Sequence, residues 1–142
     1  MTNNPAPVDL QWVKARSKCS LAAIFKALEM GVKDDVNEMI SLLGDNDRVK
    51  ITVMPSRTGF CVVREDNNIN SISTSSVEFT LGKDEIVVES ARRNVVEGVL
   101  LTATVTLNND GDCKLKVKDV ELEQWQVRRM ALEGLFFRPS NS

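Results

Sequence analysis

Arginine and cysteine carry most of the chemistry this sequence offers. The adjacent pairs Arg92-Arg93 and Arg128-Arg129, with Arg64 and Arg138, present guanidinium forks. Such a fork grips a carboxylate or phosphate through two parallel hydrogen bonds. An anion site needs folding to bring two forks together. Adjacency in sequence does not achieve this, because neighbouring side chains point to opposite faces of a strand and lie about 100° apart around a helix. Glu89, Glu97, Glu121, Glu123 and Glu133 stand nearby as partners, so the expected state of these arginines is solvated or ion-paired at the surface, where such pairs contribute little.

Cys19, Cys61 and Cys113 are odd in number and widely separated. They make neither a C-x-x-C pair nor a dense disulfide framework, so three reduced thiols are expected, at least two of them buried as small hydrophobes. Cys19, which follows Arg16 and Lys18, is the best-placed reactive thiol, since nearby cations favour the thiolate. The chain contains no histidine. That removes Ser-His-Asp and Cys-His nucleophilic pairs, histidine-containing zinc sites and His phosphorelay. Asn108-Asn109-Asp110-Gly111-Asp112 has the oxygen-rich look of a calcium loop, but the first ligand position falls on Thr106 and the closing one on Val117. A hairpin turn is expected there instead. No cofactor and no metal are expected.

The segment Trp125 to Phe137 holds three of the chain's aromatic residues. Trp125 and Leu132 are seven residues apart and share a helical face that Leu135 and Phe136 extend. Trp125 is therefore expected to anchor the helix on a sheet, with Trp125→Ala costing about 3–5 kcal/mol if the indole is fully buried. One narrow stripe cannot also hold Met130 and Phe137, so part of this surface is left for a second subunit or a ligand. Trp125, Arg128, Arg129, Phe136 and Phe137 are the candidate binding residues.

The elements that position these residues follow from periodicity. From Asp9 to Leu43, Leu21, Ile24/Phe25, Leu28, Val32, Val36, Met39/Ile40 and Leu43 keep helical spacing. Asp9 can cap the start and Gly44 can end the segment in a left-handed conformation. A glycine at 31 and an aspartate at 34 allow either two packed helices or one bent helix. The period then shortens to about two. Val49–Met54 and Phe60–Val63 flank a loop over 55–59, Val77–Leu81 and Ile86–Val88 flank Gly82-Lys83-Asp84, and Val99–Leu107 pairs back through the Asp-Gly turn to Cys113–Val117. Ser71 to Ser76 is a local polar cluster. Helical spacing returns over Glu121–Phe137. The expected fold is α+β: an N-terminal helix or helix pair, an antiparallel sheet of about five or six strands built from consecutive hairpins, and a C-terminal helix packed on the sheet. One domain is expected over 9–137, with flexible tails at 1–8 and 138–142.

Composition sets the class. Apolar residues make up 42% and charged residues 27% of 142 positions, a mixture that supports a packed core. The net charge of −2 comes from interspersed charges, which disfavours nucleic acid as the main partner. No window resembles a leader or a membrane span, so a cytoplasmic protein with no membrane partner is expected. With no catalytic motif in sight, the reading leans away from an enzyme. It favours a non-catalytic binding or protein-interaction domain, homodimeric or bound to another protein. The alternative is a small-ligand carrier or enzyme, taking an apolar or anionic molecule, with a pocket between a curved sheet and the C-terminal helix. Phe79, Leu101, Val105, Trp125 and Leu132 would line that pocket.

Overall fold

The computed structural model describes residues 9–45, 47–93 and 95–138. The expected tail at 1–8, all of the expected tail at 138–142 except Arg138, and Asn46 within the loop after Gly44 lie outside the described residues. No helix among the described residues is long and apolar enough to cross a membrane.

The helical spacing at the start produces a short helix α1 (Trp12–Ser17) and a long one, α2 (Leu21–Leu43). The interruption falls at Lys18 to Ser20 and not at Gly31. Ser20 begins α2 by accepting a hydrogen bond from the Ala23 N–H at 3.1 Å, while Asp9 caps neither helix. Helix α2 runs unbroken through Gly31, whose missing side chain has a packing reason: a Cβ there would lie 2.6 Å from Nη1 of Arg128. Gly44, at a φ of 61°, ends the helix as expected, with its N–H donating to the Ile40 carbonyl at 3.2 Å.

Seven strands follow in one antiparallel meander whose spatial order is the chain order. They are β1 (Val49–Ser56), β2 (Gly59–Asn68), β3 (Ser71–Leu81), β4 (Ile86–Arg92), β5 (Val95–Leu107), β6 (Cys113–Val117) and β7 (Val120–Leu122), and α3 (Gln124–Phe136) closes the fold. The fold is α+β, with one strand beyond the expected range. That strand, β7, takes Glu121 out of the expected helix, and α3 starts at Gln124 instead. The first hairpin is also tighter than expected. Ser56 pairs with Gly59, leaving Arg57 and Thr58 as the turn, and Pro55 sits within β1. An edge strand tolerates Pro55 because a missing ladder donor there faces no neighbour.

Alternation along each strand separates two faces. Ile51, Phe60, Val62, Val77, Phe79, Ile86, Val88, Leu101, Ala103, Leu115 and Val117 point inward and are buried beneath α2 and α3. Helix α2 supplies Phe25, Leu28, Val32, Val36 and Met39, and α3 supplies Val127, Ala131, Leu132, Leu135 and Phe136. Phe25, Phe60 and Phe79 pack in series, the first pair tilted with ring centroids 5.3 Å apart and the second stacked at 4.6 Å, a spacing that adds to their area burial. The outer face carries Thr52, Cys61, Glu78, Thr102, Thr104, Lys114 and Lys116, most of them part-buried.

At one end the inner face turns polar. Arg64, Asp66 and Ser75 are all buried, which corrects the expectation that Arg64 is solvated or ion-paired at the surface: it is ion-paired, but inside. Its Nε donates to Asp66 Oδ1 at 3.1 Å, and its Nη1 donates to the carbonyls of Leu135 and Phe136 at 2.8 and 3.2 Å. Arg138, assigned by sequence to the tail, donates through Nη2 to Asp66 Oδ2 at 3.3 Å and to Ser75 Oγ at 2.7 Å.

The expectation of three reduced thiols is also corrected. Cys19 and Cys113 form a disulfide with Cα atoms 5.5 Å apart, tying the α1–α2 junction to the start of β6 across 94 residues of sequence. A closed loop of that size is worth about 4–5 kcal/mol in the chain-entropy model. Cys61 is the free thiol, on the outer face; burial and then the nearby Glu78 carboxylate push its pKa above the ordinary range.

Two outcomes are expected. Arg64→Ala should lower the unfolding free energy by about 3–5 kcal/mol in chemical denaturation, since it leaves Asp66 Oδ1 and two helix carbonyls without their donor and Arg138 as the one cation on Asp66 among the described residues; a loss under about 1 kcal/mol would contradict the clamp. Thiol titration should find one slowly reacting group, Cys61, in the folded non-reduced protein and all three after reduction and unfolding.

Candidate functional site

The aromatic helix α3 lies beside α2, and a groove of about 280 Å³ runs between them. Helix α2 contributes Asp35, Glu38, Met39 and Leu42; α3 and the residue after it contribute Trp125, Arg128, Arg129, Leu132, Glu133, Phe136 and Phe137. The five residues singled out from sequence therefore all line one groove, but in different states. Phe136 is buried in the core, whereas Trp125 is 53% exposed and Phe137 68% exposed. Leu42, across the groove, is 69% exposed.

Trp125 is thus not the sheet anchor expected from its spacing. Helical geometry places it within about 20° of both Leu132 and Phe136 around the axis. Those two lie at the edge of the buried stripe nearest α2, and Trp125 extends that edge into the first turn, beside α2. Val127, Ala131, Leu132, Leu135 and Phe136 form the anchor instead.

The two groove arginines are engaged. Arg128 crosses over Gly31 to donate from Nε to Asp35 Oδ2 at 2.7 Å and from Nη1 to Gln124 Oε1 at 3.1 Å. Arg129 donates to Glu133 Oε2 at 3.0 Å on the helix surface. With Glu38 also present, the lining has two cations and three carboxylates, a poor place for an anion. It is an apolar floor and wall with a rim of both signs.

Sequence reasoning missed the α2 half of the groove. Asp35, Glu38, Met39 and Leu42 follow the i, i+3, i+4, i+7 rule on a face adjoining the buried one, and Leu42 off the main stripe was the available signal. The alternative pocket lining does not assemble as one. Phe79, Leu101 and Leu132 are buried in the core, Val105 packs against it, and Trp125 lies outside on the α2 side. Among the described residues, no three cysteine, aspartate or glutamate side chains gather where they could hold a metal ion. No family model, no curated protein and no solved structure matches the chain.

Trp125→Ala should change the unfolding free energy by less than about 1 kcal/mol, whereas Leu132→Ala should cost about 2–5 kcal/mol. Equal losses in the two variants, read from urea denaturation, would return Trp125 to the core.

Proposed function

We propose that this chain is a non-catalytic interaction protein that forms a homodimer through the groove between α2 and α3. The observation supporting it is the exposed apolar cluster Trp125, Phe137 and Leu42 around a shaped depression. Large aromatic groups half out of water mark contact surfaces, and tryptophan in particular recurs as an interface anchor. The rim favours a copy of the same chain. In a two-fold contact, the same patch meets itself, and a rim carrying Arg129 beside Glu38 and Glu133 can exchange opposite charges with its own copy. The Cys19–Cys113 bridge supports an oxidising compartment over the cytoplasm for this work.

Sedimentation at about 50 μM, well above a micromolar dissociation constant, tests the reading. The expected result is a dimer that the double substitution Trp125→Ala/Phe137→Ala converts to a monomer with an unchanged circular dichroism spectrum. A monomeric parent, or a variant that stays dimeric, would refute it.

A further inference from the structure

The polar end of the inner sheet face gathers arginines that the sequence keeps far apart. Arg64 on β2 pairs across the ladder with Ser75 on β3, and Ser75 pairs with Arg92 on β4. Arg64, Ser75 and Arg92 thus form a row over three strands at the roughly 5 Å spacing of cross-strand neighbours. Arg138, just beyond α3, reaches onto the same row through its 2.7 Å bond to Ser75. A cleft of about 170 Å³ opens beside it, with Ser90, Arg92, Met130 and Arg138 in its lining.

Charge is in excess here. Three guanidinium groups face two carboxylates, Asp66 and Glu97. Asp66 is buried with one oxygen taken by Arg64 and the other by Arg138. Arg64 is consumed by Asp66 and by the carbonyls that end α3, which also removes the negative helix terminus from the cleft. Arg92 meets Glu97 only at 4.0 Å, with both side chains 49% exposed, a contact of little worth. Among the described residues, Nε and Nη1 of Arg138 and both Nη atoms of Arg92 meet no acceptor. Leu100 and Met130, both partly exposed, supply an apolar wall.

We infer that this cleft binds a small oxyanion, the carboxylate or phosphoryl group of a compact molecule. Arg92 and Arg138 act as its guanidinium forks and Ser90 as a neutral donor. Forks of this kind bind both anions bidentately, and the exposed Arg92 can leave Glu97 to do so. The site is independent of the proposed dimer groove, because Met130 lies about 140° around α3 from Trp125.

The test titrates the folded, disulfide-intact protein with inorganic phosphate and separately with acetate. Ionic strength is held constant with chloride, and binding is read by calorimetry and by the rise in Tm. Saturable binding of at least one probe is expected, and Arg92→Gln should weaken it at least about tenfold while leaving the ligand-free Tm unchanged. Binding of phosphate alone assigns a phosphoryl ligand, and binding of acetate alone a carboxylate. If Arg92→Gln lowers the ligand-free Tm, Arg92→Lys carries the same test, because it keeps the charge and loses the fork. The control Arg129→Gln, in the other groove, should bind as the parent does. No saturable binding of either probe up to about 10 mM, undiminished binding in the Arg92 variants, or loss of binding in Arg129→Gln overturns the inference.

Discussion

The position of α3 depends on one buried guanidinium. Arg64 points from β2 into the core side of the sheet at 3% exposure, where an unpaired charge would be strongly destabilising. It is stabilised by Asp66 and by two carbonyls of the last turn of α3. Those carbonyls belong to the set that a helix end leaves without intrahelical partners, and they carry the partial negative charge of the helix terminus. One side chain therefore satisfies two buried demands that neither element meets alone. At its other end α3 is closed by its own capping box, the Glu123 N–H donating to Gln126 Oε1 at 2.8 Å, and is joined to the sheet by the Glu123 contact with Lys114 of β6. The helix is held at both ends across the inner face of the sheet.

With α3 fixed in this way, its excess of large apolar residues has to be divided. Val127, Ala131, Leu132, Leu135 and Phe136 bury against the sheet and α2. Trp125 and Phe137 are left on the flank beside α2, where Arg128 crosses Gly31 to reach Asp35. Met130 is left on the opposite flank, beside Leu100 of β5. The two surface depressions thus share one cause, a short helix too apolar for a single stripe. They differ in chemistry because the sheet beneath the second one has already turned from apolar to arginine- and serine-bearing positions.

Much of the fold was legible in sequence because period-two alternation agrees with the turn chemistry of Gly82-Lys83-Asp84 between β3 and β4 and of Asp110-Gly111 between β5 and β6. The continuation of β2 was also encoded. Arg64 and Asp66 keep step with Phe60 and Val62, but polar residues at inward positions look like the end of a buried strand when hydrophobicity is the only guide. Ser75 keeps step with Val77 and Phe79 in the same way, which hid the first half of β3. Trp125 failed for another reason: spacing gives the angle around a helix and not which neighbour covers that angle. The α3 half of the groove could be read from aromatic density, while the α2 half needed the packing of two helices. Cys19 and Cys113 lie 94 residues apart, and only the meander brings β6 to the α1–α2 junction. Widely spaced cysteines carry no record of such a pairing.

The clamp can be tested most directly by native-state hydrogen exchange on the amides from Ala131 to Phe136. If Arg64 binds the end of α3 to β2, these amides open only together with the central residues of β2 and β3, with the same free energy and the same denaturant dependence. Exchange of the last turn of α3 through a low-energy, denaturant-insensitive fraying, while β2 and β3 remain protected, would contradict the account.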